Sequence, residues 1–117
     1  MADEQSGVFR ALADPTRRQI LQDLRDRELS AGEIVARFSI SGPSISRHLT
    51  VLKAAGLVTE RREANRIYYS LVAERLAVSV GNFLSVVCPE QVVVRHRREK
   101  RARAGDKKGD AFRALRP

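Results

Sequence analysis

Serine, arginine and histidine stand among regularly spaced Ile and Leu in the run ISGPSISRHLTVLKAAGLV, residues 40–58. Two kinds of chemistry could use them. The first is nucleophilic catalysis, but Ser46 and His48 are two residues apart. On a helix such neighbours point in divergent directions and cannot work as a nucleophile–base pair. The second is recognition. With Ile45, Leu49 and Leu52 on one side of a helical wheel, Arg47 points away from them, and Pro43, Thr50 and Ala54 share its outer sector. Ser44 and Val51 lie at the edge of that sector. Ser46 is on one flank and His48 on the other, nearer the buried stripe. Small neighbours let a duplex approach closely, and arginine can donate two hydrogen bonds to a guanine edge, worth roughly 1–3 kcal/mol of discrimination. Ser44 and Ser46 can bind phosphate or base edges near the helix start, where the N-terminus already favours anions. An ordinary surface helix could carry the same face, so its surroundings must decide.

Arg61, Arg62 and Arg66 cluster around Asn65 a few residues on. A basic loop beside such a helix can straddle the DNA backbone or dip into a minor groove. Tyr68 and Tyr69 alternate along the same segment, so one should pack inward and the other face out. Other chemistry has little to work with. His48 and His96 are the only histidines, so a site needing several imidazoles from one chain cannot be built. Cys88 is the single cysteine, which excludes an intrachain disulfide and fits a reducing compartment. A redox role would need a resolving thiol, which only a second copy could supply; a small residue ending a helix is the simpler reading. No glycine-rich phosphate loop occurs. No catalytic residue, metal site or cofactor is expected.

The elements that would position these residues can be read in order. VFRALA, residues 8–13, makes a short apolar helix. Asp14 is an N-cap and Pro15 a first-turn proline, so a second helix starts there, with Ile20, Leu21 and Leu24 as its apolar stripe. Ser30 and Glu33 form a capping box for a short helix whose Ile34, Val35 and Phe38 face inward. After the turn SISG, a helix capped by Ser41 or Gly42 begins near Pro43 and stops at Gly56. Two helices joined by a tight turn, the second amphipathic, form a helix-turn-helix. Runs 57–62 and 66–71 then have strand character, split by EAN, where Asn65 tolerates the left-handed conformation of a tight hairpin. The last helix, 72–87, places Leu76, Val80, Phe83, Leu84 and Val87 on one stripe, and Pro89 ends or kinks it.

Charge divides the chain of 117 residues unevenly. Residues 1–94 carry 12 basic and 11 acidic side chains, whereas 95–117 carry 10 and 3. The overall +8 is therefore mostly a property of the C-terminal stretch. That stretch favours an anionic partner, nucleic acid before a membrane surface, or serves as a solvated extension. The apolar run near LAVSVGNFLSVV is too short and too polar to span a bilayer, and MADEQSG does not resemble a secretory signal. A cytoplasmic protein without membrane insertion is expected.

ALADPTRRQIL, SAGEIVARFSISGPSISRHLTVLKAAGLV and RREANRIYYSL together resemble the arsenic-repressor type (ArsR) family of bacterial winged-helix repressors, over about residues 8–87. The resemblance is closest to the metal-independent, SdpR-like autorepressor branch. It implies a homodimer, paired through the first and last helices, on an imperfect inverted repeat of double-stranded DNA. It places Ser44, Ser46, Arg47 and His48 on the recognition helix. It also implies an interface of Val8, Phe9 and Leu12 with Leu76, Val80, Phe83, Leu84 and Val87. The breadth of the last helix's stripe fits burial by an identical partner. Two departures separate the chain from metal-sensing members. EIVARF lacks the Cys-x-Cys of one class, and Leu76 and Val87 stand where the other class needs imidazoles, although Glu74 and Glu90 remain. The EAN turn also lacks the glycine common in the family.

The combined expectation is a mainly α fold with a small β-hairpin: a dimeric winged helix-turn-helix of five helices. Residues 1–7 form a flexible lead, 8–94 the DNA-binding and dimerisation domain, and 95–117 a disordered basic tail. The candidate DNA contacts are Ser41, Ser44, Ser46, Arg47, His48, Thr50, Arg61, Arg62, Asn65 and Arg66. The competing readings are an architectural DNA binder with weak sequence preference and a winged-helix protein-interaction module.

Overall fold

A computed structural model describes residues 4–114, with side chains from 7 to 104. Six helices and three strands follow one another among the described residues: α1 (Glu4–Leu12), α2 (Pro15–Asp23), β1 (Leu29–Ser30), α3 (Ala31–Ala36), α4 (Gly42–Ala54), β2 (Val58–Glu63), β3 (Arg66–Leu71), α5 (Ala73–Val87) and α6 (Glu90–Ala114). The chain divides into two compact units between Val80 and Gly81, within α5.

The first unit is a winged helix-turn-helix. Its core gathers Val8 and Ala11 of α1, Ile20, Leu21 and Leu24 from the α2 segment, Leu29, Ile34, and Ile45, Leu49 and Leu52 of α4. Leu57 and Val58 close it from the start of the wing. Each large aliphatic side chain buried here contributes roughly 1.5–3 kcal/mol. The helix starts follow their residue types. The Asp14 carboxylate accepts from the Thr16 and Arg17 amides at 2.8 and 3.1 Å. Ser30 and Glu33 complete their reciprocal capping box. The Ser41 hydroxyl accepts from the Ser44 amide at 3.3 Å. Gly56, just past α4, has φ +76°, a backbone conformation that calls for glycine there.

The sheet has the order β1-β3-β2, all antiparallel. The expected hairpin is present, and β1 adds a third strand by pairing Leu29 with Tyr69 and Ser30 with Tyr68. Two residues are too few to show a strand period, so β1 exists through its pairing with β3. The register Glu63↔Arg66 leaves Ala64 and Asn65 as the turn. Ala64, with φ 55°, takes the left-handed conformation expected of Asn65. This is the first central position, where a two-residue turn of the II′ type favours glycine.

The second unit holds the end of α5 and α6. Pro89 separates the two helices, and its carbonyl accepts from the Val92 amide at 3.0 Å. With α6 the described residues hold six helices where the sequence pattern predicts five, and α6 runs through the stretch from residue 95 expected as a basic tail. The composition that argues against a buried core is still rich in Arg, Lys, Glu and Ala, which are strong helix formers. α1 begins at Glu4, within the expected lead of residues 1–7; residues 1–3 and 115–117 lie outside the described residues.

Candidate nucleic-acid interface

Ile45, Leu49 and Leu52 pin one side of α4 to the core, which sets the direction of everything else on the helix. Pro43, Ser46, Arg47, Thr50 and Ala54 are exposed, and Ser44 is half-buried. Among the described residues the Arg47 side chain has no hydrogen bond or ion pair, so its guanidinium donors are available. Ser41 Oγ donates to Ser44 Oγ at 2.9 Å, which leaves the Ser44 hydroxyl proton as the outer donor of this pair. Thr50 Oγ1 donates back to the Ser46 carbonyl at 3.0 Å, so its hydroxyl proton is already used.

His48 is held from behind. Arg17 Nη1 lies 3.3 Å from His48 Nδ1. Arginine only donates, so Nδ1 accepts in this contact when the ring is neutral; Nδ1 also lies 3.9 Å from Asp14 Oδ1, an ion pair when the ring is protonated, and Nε2 carries a proton in both forms. The same guanidinium donates to the carbonyls of Ala11 at 2.7 Å and Arg10 at 3.0 Å. Arg18 donates to the Leu12 carbonyl at 2.8 Å. These carbonyls belong to the last turn of α1, so the two arginines terminate one helix from within the next. The Asp14 carboxyl is held below the usual carboxylate range, chiefly by the Arg17 amide; nearby His48, the Thr16 amide and the Arg17 charge add to this against partial burial. The apolar pattern of α2 assigns no role to Arg17 and Arg18. Two arginines one turn after an N-cap, directly behind another helix, were the available signal.

The wing divides its arginines. Arg61 is committed within the protein: it pairs with Glu28 at 2.5 Å and Glu63 at 2.6 Å, and stacks over the Tyr68 ring at 4.7 Å. Its hydrogen bonds to the two carboxylates raise its pKa and lower that of Glu28. Arg61 therefore ties β2 to Glu28 and to its own strand while its side chain stays half exposed. Arg62, Asn65 and Arg66 stay exposed, and among the described residues none has a side-chain hydrogen bond or ion pair. Tyr69 packs against the core as the inward tyrosine, while Tyr68 is half-buried beneath Arg61. Lys53 of α4 meets Glu60 of β2 at 2.7 Å, linking α4 to the wing. That bond is the leading cause of a lowered Glu60 pKa.

The residues expected at a dimer interface fall into three groups. Val8 is wholly buried within its own unit and has no surface to offer a partner. Phe9, Leu12, Leu76, Val80 and Leu84 are half-buried. Phe83 and Val87 are 49% and 59% exposed, and α5 also exposes Val78 and, at 85%, Val86, which the stripe omitted. Among the described residues no group of three or more His, Cys, Asp or Glu could hold a metal ion, and no helix is long and apolar enough to cross a membrane.

Residues 12–61 match the model of a helix-turn-helix domain family. The crystal structure of an ArsR-family transcriptional regulator superposes with a TM-score of 0.66 at 27% identity, over 73% of this chain and 90% of that one. The transcriptional repressor SdpR of Bacillus subtilis is 43% identical over 82 residues, which are 70% of this chain and 91% of the repressor. The chain belongs to the ArsR family. The transcriptional activator HlyU of Vibrio cholerae, 42% identical over 81 residues (69% of this chain, 75% of HlyU), is a further relative. Its solved structure has a TM-score of 0.60 at 32% identity, over 74% of this chain and 94% of that one. As an ArsR-family member the chain is a transcriptional regulator with a DNA-binding helix-turn-helix, and its relatives are regulators, not enzymes. The exposed face of α4 is therefore the functional surface to account for.

Proposed function

We propose that this ArsR-family protein is a repressor acting as a homodimer on an inverted-repeat operator, with its own promoter as the first candidate target. The observation that carries the reading is Arg47, unpaired and exposed among small residues at the outer face of α4. In the major groove Arg47 reads a guanine through its O6 and N7. Ser44, Ser46 and His48, through Nε2–H, contact phosphates or base edges, and Arg62, Asn65 and Arg66 of the wing hold the flanking backbone. The exposed apolar residues of α5 pair two copies about a two-fold axis, so each α4 meets one half-site. The relative named as a repressor supports the sign of regulation, and the one named as an activator makes that sign worth testing.

The test uses duplexes tiled across the DNA upstream of the protein's own gene and a shuffled control, measured by fluorescence anisotropy at physiological salt. One tile should bind at least about a thousandfold more tightly than the control. Arg47→Ala should lose roughly 1–3 kcal/mol of that preference. Equal affinity for every tile and the control would remove autorepression, and a preference untouched by Arg47→Ala would remove Arg47 from base reading.

A further inference from the structure

The recognition surface makes no use of α6, yet α6 carries the strongest charge of the chain. Arg95, Arg97, Arg98, Lys100, Arg101 and Arg103 are all exposed, and Glu99 is the only acidic residue between 91 and 104. At 100° per residue these six cations fall about 60° apart around the axis, so every sector of the helix is positive. Arg97 and Arg101 stand one turn apart, as do Arg95 and Arg98, Arg98 and Arg101, Arg97 and Lys100, and Lys100 and Arg103. Each such like-charge pair opposes the helix. Among the described residues none of the six has an ion pair or hydrogen bond to offset this.

We propose that α6 is a second DNA-binding element, which lies in the major groove of duplex DNA and contacts phosphates on both walls independently of sequence. This rests on the reading of the protein as a DNA binder. A helix with its side chains is about 10–12 Å across, and the B-form major groove is about 12 Å wide with phosphates along both edges. A helix charged all round matches a groove that is anionic on both sides. A membrane surface would engage one side and needs an opposing apolar face. Here Val92, Val93 and Val94 are consecutive and so point into different sectors. Duplex RNA fits poorly, because its major groove is deep and narrow. Residues 95–104 contain no Asn or Gln to read adenine edges, and their cations, spread around the whole axis, face both phosphate walls instead of the groove floor alone. Phosphates on both sides relieve the repulsion among the cations, so DNA binding should strengthen the helix.

The experiment uses the full chain and a variant with all six cations changed to Gln, which keeps a similar helix propensity. Anisotropy on a random-sequence duplex is measured from 50 to 200 mM salt. The plot of log affinity against log salt should be steeper for the wild type by about four to five, since each neutralised phosphate contributes about 0.9. At physiological salt the variant should bind at least about tenfold more weakly, and circular dichroism should show a gain of helix on adding duplex to the wild type only. Equal slopes and affinities would overturn the proposal. Anionic-lipid vesicles that capture the wild type more tightly than duplex, with the variant losing only vesicle binding, would also overturn it. Preference for an operator over random DNA reports α4 separately: if neither chain shows one while the slopes differ, base reading fails and the role of α6 stands.

Discussion

Arg17 joins three carbonyl or imidazole acceptors from two other helices, and that geometry depends on a planar fork of donors. Arg17→Lys keeps the charge but cannot span the acceptors. It should cost about 1–3 kcal/mol in chemical denaturation and weaken operator binding by freeing His48. Stability and affinity equal to the wild type would deny Arg17 that role. Asp14 gives a pH-dependent counterpart. Its carboxyl is lowered in the folded protein, so it contributes stability above its unfolded pKa and loses it as pH falls through the folded value. Asp14→Asn keeps an N-cap but removes the titration, so its melting temperature should fall less between pH 5 and about pH 2. Parallel curves would contradict this. Arg47 was legible in the sequence because its direction follows from three neighbouring core residues on one helix. The commitment of Arg61 was not, because Glu28 lies 33 residues away and comes alongside only when β1 joins the sheet.

The elements show the same division between local and assembled information. Caps at Asp14, Ser30 and Ser41 were readable because each acts within three residues. The wing turn was placed correctly but given the wrong left-handed residue, because pairing register decides which of its two central residues must turn. Ala64 bears that conformation without glycine's freedom, at a cost of roughly 1–2 kcal/mol. Ala64→Gly should therefore stabilise the protein by up to about 1 kcal/mol, seen as a rise of a few degrees in Tm. A lower Tm would mean that the methyl group packs usefully. In α5, periodicity found Phe83 and Val87 but not Val78 or Val86, because its exposed apolar surface is wider than one stripe. That width is what the proposed two-fold pairing would cover. In α6 a composition rule about cores met a local preference for helix, and local preference decided the backbone.

At the scale of the whole molecule, the two proposed roles fall to a nearly neutral winged-helix unit, which would read bases, and a cationic helix, which would hold phosphates. Specificity would come from the first, and salt-dependent affinity from both. The division explains why so high a net charge, +8, sits mostly outside the unit bearing the recognition helix. The central claim is that two copies each present α4, with Arg47 at its outer face, to a half-site. Selection of bound sequences from random duplex DNA by the full chain at physiological salt tests it most directly. The account predicts an inverted repeat with half-sites about one helical turn, or a multiple of one, apart, and a guanine in each half-site whose selection disappears with Arg47→Ala. No enriched motif, a single half-site, or a motif unchanged by Arg47→Ala would contradict it.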